Sequence, residues 1–208
     1  SGAVQRPTAA GAVASRLMAC LEGTDGIDDL AGRLRRFRRR EMVRIAWRDL
    51  NGLADLTATT SDLSDLADAC LNQTLAWLHA AQCAERDAPL SADGTPMELV
   101  VLALGKLGAR ELNFSSDVDL IFAFPGSGPP REGEAEIDPE DFFARLSRRL
   151  IQVIGQPTAE GQVFRVDVRL RPFGDNGPLV LSFDAMEHYY QEQGRDWERY
   201  AWIKARAV

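Results

Sequence analysis

Histidine and cysteine are scarce in this chain. His79 and His188 are the only two histidines, which leaves no support for a histidine-rich metal site or a histidine-centred triad. Cys20, Cys70 and Cys83 are odd in number, widely spaced and without the CxxC pairing of a zinc or redox site, so they read as buried or surface thiols. No apolar run is long enough to span a bilayer, and the start carries no signal-peptide pattern. The expected location is the cytoplasm. A basic surplus is missing too. The net charge of -7 argues against nucleic acid as the main partner, because duplex binding leaves a basic footprint. A Walker A loop is also lacking: Gly105-Lys106 is followed by Leu107 where that motif has its metal-binding Ser or Thr.

What is present is a soluble-protein composition, 45% hydrophobic and 26% charged over 208 residues, enough for a sizeable core. Residues 1–27 read as a mobile N-terminus, in which Ser1-Gly2 could be a cloning scar. Residues 28–87 read as a helical segment. Leu34, Phe37, Met42, Ile45 and Leu53 mark apolar faces from Asp28 to Leu56, and Ser61 or Asp62 is the expected N-cap of a second helix running to about Arg86. The cluster Arg33, Arg35, Arg36, Arg38, Arg39 and Arg40 is either a solvated helix face or a contact with the acidic remainder of the protein or a partner. The Pro/Gly-bearing connector 88–96 then separates the helices from a second domain over 97–208.

That domain is organised around the stretch 105–119, GKLGARELNFSSDVD. Glu98 to Leu104 and Val118 to Phe124 are strand-length apolar runs. Between them Gly105 and Gly108 permit a sharp turn. Asp117 and Asp119 stand two apart, so in an extended segment both carboxylates share one face. In VFRVDVRLRP, over 163–172, the alternation puts Phe164, Val166, Val168 and Leu170 towards a core and Arg165, Asp167, Arg169 and Arg171 on the opposite face. Three carboxylates suit a hard divalent cation, and arginines beside them suit phosphate. Ser115 and Ser116 either cap the strand or contact phosphate. The insert PGSGPPREGEAEIDP reads as a mobile loop, and 139–154 as an amphipathic helix. FGDNGP is a hairpin or a substrate-facing turn. Leu179 to Ser182 reads as a strand, and 185–193 and 196–208 as helices, the last without a C-cap glycine, which points to a truncated C-terminus.

The frame Gly-Ser, ten residues, Asp-x-Asp, with a third Asp on a later strand, is that of the polymerase-beta-like nucleotidyltransferases. Gly105-Lys106, Asp117, Asp119 and Asp167 fall in register with it, lysine replacing serine. The blocks GKLGARELNFSSDVDLIFAF, RVDVRLRPFGDNGPLVLSF and YYQEQGRDWERYAWIKAR narrow the resemblance to the family of bifunctional glutamine synthetase adenylyltransferases and adenylyl-removing enzymes, RPFGDNGPLVLSF and the last block to its adenylyl-removing unit. The resemblance implies an α+β fold: a mixed sheet with packed helices and a helical N-terminal segment. It implies metal at Asp117, Asp119 and Asp167, two Mg2+ ions or Mn2+ in their place. Nucleotide and phosphate would meet Gly105, Lys106, Ser116, Arg169, Arg171, Gly174, Asp175 and Asn176. The implied partners are glutamine synthetase as protein substrate, a PII-type signal protein, inorganic phosphate, and ADP or ATP as product or substrate. Adenylyl removal, adenylyl transfer and nucleotide sensing without turnover share these residues.

Overall fold

A computed structural model describes residues 9, 11–91, 93–126 and 138–208. Three helices come first: α1 (Ala12–Leu21), α2 (Gly26–Leu50) and α3 (Leu56–Glu85). Much of the stretch expected to be mobile is therefore ordered. α1 spaces Val13, Leu17 and Cys20 along one face, and Val13 and Leu17 are buried. Residues 1–8 and 10 lie outside the described residues, as do 127–137 of the insert expected to be a mobile loop. α3 begins a full turn and more before the expected Ser61 or Asp62, because Asp55 is the N-cap that accepts the Ala58 amide. Asp62 instead lies inside the helix, close to Arg44 and Arg48.

Half of the arginine cluster is spent within the fold. Arg33 pairs with Asp29 and donates to the carbonyls of Cys20 and Glu22, fastening the start of α2 to the end of α1. Arg35 reaches Glu160 at 3.7 Å, and Arg38 lies 5.7 Å over the Phe164 ring, its pKa lowered by burial. Arg36, Arg39 and Arg40 remain exposed.

Glu41 is buried on α2, its Oε2 accepting from Arg16 Nη2 and Arg44 Nε at 2.8 Å each and its Oε1 from Arg16 Nε at 3.3 Å. Burial pushes its pKa up, the two guanidiniums pull it down, and the pull wins. An acid with a depressed folded pKa stabilises the protein above its unfolded pKa and loses that contribution as pH falls through the folded one. Glu41→Gln is expected to cost about 2 kcal/mol at neutral pH, the scale of hydrogen bonds to charged groups. In denaturant titrations the gap to wild type should narrow steadily below the ordinary glutamate range; a gap independent of pH would contradict the pairing.

The second part of the chain is β1 (Val100–Ala103), α4 (Gly105–Gly108), β2 (Val118–Phe124), α5 (Pro139–Gly155), β3 (Val166–Asp167), β4 (Val180–Ser182), α6 (Phe183–Glu192), α7 (Asp196–Ala201) and β5 (Arg206–Ala207). α5 starts at Pro139 because Asp138 caps it and proline tolerates the first helical position. β2 is the spine of the sheet. β1 runs antiparallel to it on one edge, with β5 antiparallel beyond; β3 and β4 run parallel to it on the other, β3 at its start and β4 at its end. The expected final helix stops at Ala201, and the residues after it form a 3-10 turn and then β5 against β1.

β2 reads as a continuous apolar run because both sheet faces are covered. Val118, Leu120, Phe122 and Phe124 join the large core shared with α1, α2, α3 and α5, whereas Ile121 and Ala123 join Leu104 and Met186 in a smaller core on the other side. The period of two places Asp117 and Asp119 on this second side, away from the helical layer. The result is an α+β fold with a mixed sheet, packed helices and a helical N-terminal segment, in keeping with the nucleotidyltransferase resemblance.

Candidate active site

The site forms where β1, β2 and β3 end or begin together. β1 leads into Gly105, whose φ of 54° lies in the left-handed region. A side chain there would be strained, and its Cβ would also collide with the Asp119 carboxylate. Glycine thus opens the space over that acid. One residue on, Lys106 is exposed on α4 and close enough for its charge to act on Asp119.

Asp119 on β2 and Asp167 on β3 are partners in the parallel ladder, so their side chains leave the same face at neighbouring positions. Asp117 stands just before β2. Burial raises the pKa of Asp119, and the Asp167 and Asp117 carboxylates raise it further, with Arg169 and Lys106 pulling the other way. Among the described residues no side chain donates a hydrogen bond to Asp119. Asp167 has the opposite fate. The Arg169 guanidinium holds its pKa down, through 3.0 Å contacts from Nε to both oxygens, and the Arg169 backbone N–H donates to Oδ1 at 2.9 Å.

Arg165 was seen in the sequence only as one member of an alternating face. Its Nε lies 2.5 Å from Asp117 Oδ1, and its Nη2 donates to the Ser115 carbonyl at 2.6 Å. The signal that could have found it was its position two residues before Asp167, on the same face by alternation.

The alternation itself fails beyond Asp167. The Arg169 amide is withdrawn to the Asp167 carboxylate, so β3 ends there and the chain turns. Arg171 consequently points inward rather than sharing a face with Arg169: it is buried, and its Nη1 donates to the Val168 carbonyl at 2.8 Å. It organises the turn. Ser116 is likewise committed, donating to Asn113 Oδ1 at 2.7 Å and accepting from the Asn113 amide.

The turn expected from FGDNGP is a short 3-10 segment, Gly174–Asn176, with Asp175 and Asn176 exposed. Sequence reasoning did not anticipate what pins it. Phe173 adopts a positive φ of 62° and packs its ring 4.4 Å from that of Tyr189, whose hydroxyl donates to buried Glu198 at 2.9 Å. Glu198 also accepts the Arg195 amide at 2.7 Å. His188 is exposed on α6, and His79 packs edge-on against Phe142, so neither enters the acid cluster. Cys70 is buried with its thiol pushed up to about 12, first by burial.

Three carboxylates with oxygen donors only, the pKa of one of them raised by burial and then by its like-charged neighbours, form a donor set that fits a hard divalent cation chemically. As the side chains stand, however, no group of three acidic, histidine or cysteine residues among those described is gathered tightly enough to enclose a metal ion. The guanidiniums of Arg165 and Arg169 instead neutralise the two outer acids.

A family model described as glutamate-ammonia ligase adenylyltransferase matches residues 1–208. The chain belongs to the glutamate-ammonia ligase adenylyltransferase family. It is 53% identical over 207 residues to a protein of Thioalkalivibrio sulfidiphilus named bifunctional glutamine synthetase adenylyltransferase/adenylyl-removing enzyme, covering all of this chain and 21% of that protein. Proteins with the same name are 61% identical over 176 residues in Nitrosococcus oceani, covering 84% of this chain and 18% of the relative, and 51% identical over 208 residues in Pseudomonas aeruginosa, covering all of this chain and 21% of the relative. The chain thus spans about a fifth of the length of the curated relatives it matches. Among the described residues, no helix of this family member is long and apolar enough to cross a membrane.

Proposed function

We propose that the chain is the adenylyl-removing nucleotidyltransferase unit of its family, acting in the cytoplasm on adenylylated glutamine synthetase, with a PII-type signal protein as effector. The observation that carries this reading is the in-register pairing of Asp119 with Asp167, with Asp117 two residues upstream. The direction rests on the resemblance of 171–183 and 189–206 to the adenylyl-removing unit.

In the proposed reaction an oxygen of hydrogen phosphate attacks the phosphorus of the tyrosine-linked AMP. The bond from phosphorus to the tyrosine oxygen breaks, the phosphate proton ends on that oxygen, and ADP and glutamine synthetase with its tyrosine hydroxyl restored leave. A phenol, with a pKa of about 10, departs more readily than an aliphatic alcohol. Two Mg2+ ions, or Mn2+, held by Asp117, Asp119 and Asp167 would supply charge at phosphorus and at the departing oxygen. Lys106 and Arg169 orient the anionic oxygens, and the Gly174–Asn176 turn borders the nucleotide.

Incubating the full-length protein with adenylylated glutamine synthetase, phosphate and Mg2+ is expected to release ADP. Labelling of glutamine synthetase from ATP without ADP release from the adenylylated form would replace removal with transfer. Nucleotide binding with neither reaction would make the unit a sensor.

A further inference from the structure

We infer that Arg165 is a two-position counter-ion: it holds Asp117 while the acid cluster lacks a cation, and turns to the substrate phosphate when a cation takes that carboxylate. The inference rests on the proposed metal-dependent chemistry and adds a residue to it.

Arg165 is freer to move than buried Arg171, and fewer contacts hold it than hold Arg169. Arg171 is buried and folded back on its own turn. Arg169 holds Asp167 through its side chain while its amide ends β3, so side chain and backbone act together. Among the described residues the Arg165 side chain has polar contacts to Asp117 and to one carbonyl only, it is 60% exposed, and it borders an open surface groove of about 390 Å³ with Gln152, Gln156 and Gln162. It can leave Asp117 without breaking any packing. Its backbone, in contrast, is fixed, because the Arg165 carbonyl accepts the Val118 amide at 2.8 Å where β2 and β3 meet. The guanidinium therefore swings about an anchored point beside the acids.

Charge determines which way it swings. With the three carboxylates unopposed, a guanidinium beside Asp117 is attracted to it. Once divalent cations neutralise the acids, the same guanidinium is repelled by the metals and attracted by the nearest anion, and its planar fork matches two phosphate oxygens. Arg165 in this arrangement is a positioning residue for the attacking phosphate as well as a competitor of the metal.

The two positions give effects of opposite sign in one variant. In the full-length protein, R165Q should bind Mn2+ severalfold more tightly in the absence of substrates, measured by calorimetry. The KM for phosphate should rise about ten- to a hundredfold, the scale of losing hydrogen bonds to a charged group, with KM for adenylylated glutamine synthetase unchanged. R165K, which keeps the charge but not the fork, should recover part of the phosphate affinity. R149Q, at a half-buried arginine on α5 paired with Glu85, should match wild type in both. An unchanged phosphate KM in R165Q overturns the inference, and so does weakened Mn2+ binding, which is what a merely structural arginine would give. If wild type releases no ADP, equilibrium binding of labelled orthophosphate in the presence of Mn2+ decides the matter separately: weaker binding in R165Q upholds the role of Arg165 while phosphorolysis falls, and equal binding overturns Arg165 as well.

Discussion

Asp119→Asn is expected to reduce ADP release by at least about a thousandfold, roughly 4 kcal/mol of lost transition-state stabilisation, while leaving the fold as stable as before or more so. The two halves of that expectation come from the same geometry. Asp119 lies between two other carboxylates, is partly shielded from water, and receives no hydrogen bond from a described side chain. Its raised pKa means that the folded state holds a proton there more tightly than the unfolded state does. Ionised Asp119 therefore destabilises the fold at pH values above its unfolded pKa. Asparagine removes the charge at nearly the same volume, so a thermal melt at neutral pH should show no loss and, if anything, a gain. The difference should vanish at acid pH, where Asp119 is protonated in both states. Loss of activity accompanied by a large loss of stability would mean that Asp119 serves packing, and retained ADP release would remove it from the chemistry. Functional sites hold like charges together at a cost in stability, and this variant separates that cost from the function it serves.

Much of this was visible in the sequence because the residues concerned are under one dominant constraint. Val118 to Phe124 is the observed β2 to the residue, since a strand buried on both faces has only one way to be written. α5 begins at Pro139 for the equally local reason of Asp138 and a proline. The elements that were misread depend on partners far along the chain. α1 is short and rich in alanine, and its register is set by the burial of Leu17 and by Arg16 reaching Glu41 on α2. β5 is only two residues long and exists because β1 offers it an edge. The arginines at 33–40 resemble a solvated stripe in one dimension, yet Arg35 and Arg38 find Glu160 and Phe164 more than a hundred residues away.

The acids show the same division. Their common face follows from spacing, because Asp117 and Asp119 are two apart and Asp167 lies in an alternating run. What spacing could not supply was the fate of the charges around them. Arg169 and Arg171 look equivalent in the sequence, yet once the Asp167 carboxylate captures the Arg169 amide the strand ends and the two side chains part. A single side-chain-to-backbone hydrogen bond thus decides which arginines face the site.

Gly108→Ala is expected to be the most destabilising small substitution in the site region, at about 3 kcal/mol or more, the upper end of what overpacking costs. The added Cβ would meet backbone on both sides, the carbonyl oxygens of Lys204 and Ala103, and neither can rotate away as a side chain would. Gly108 is held in place by its amide bonding to the Leu104 carbonyl. The segment that must yield is therefore the C-terminal one. Moving the Lys204 carbonyl drags the 3-10 turn and β5 with it, which loosens the pairing of Leu102 with Ala207 and Ala103 with Arg206, the Arg206 contact with the Leu107 carbonyl and the Lys204 pair with Glu111. For a chain of this size the melting temperature should fall by about 6–12 °C, taking about 2–4 °C per kcal/mol. Amide exchange should accelerate first at Ala207 and Val208, before the centre of β2. A melt within about a degree of wild type would show that α4 and the C-terminal strand are not packed against each other at Gly108. Because α4 also carries Lys106, the same substitution ties the stability of β5 to the floor of the acid cluster. The C-terminal segment, far from the acids in sequence, thereby sets the position of the turn that opens over Asp119.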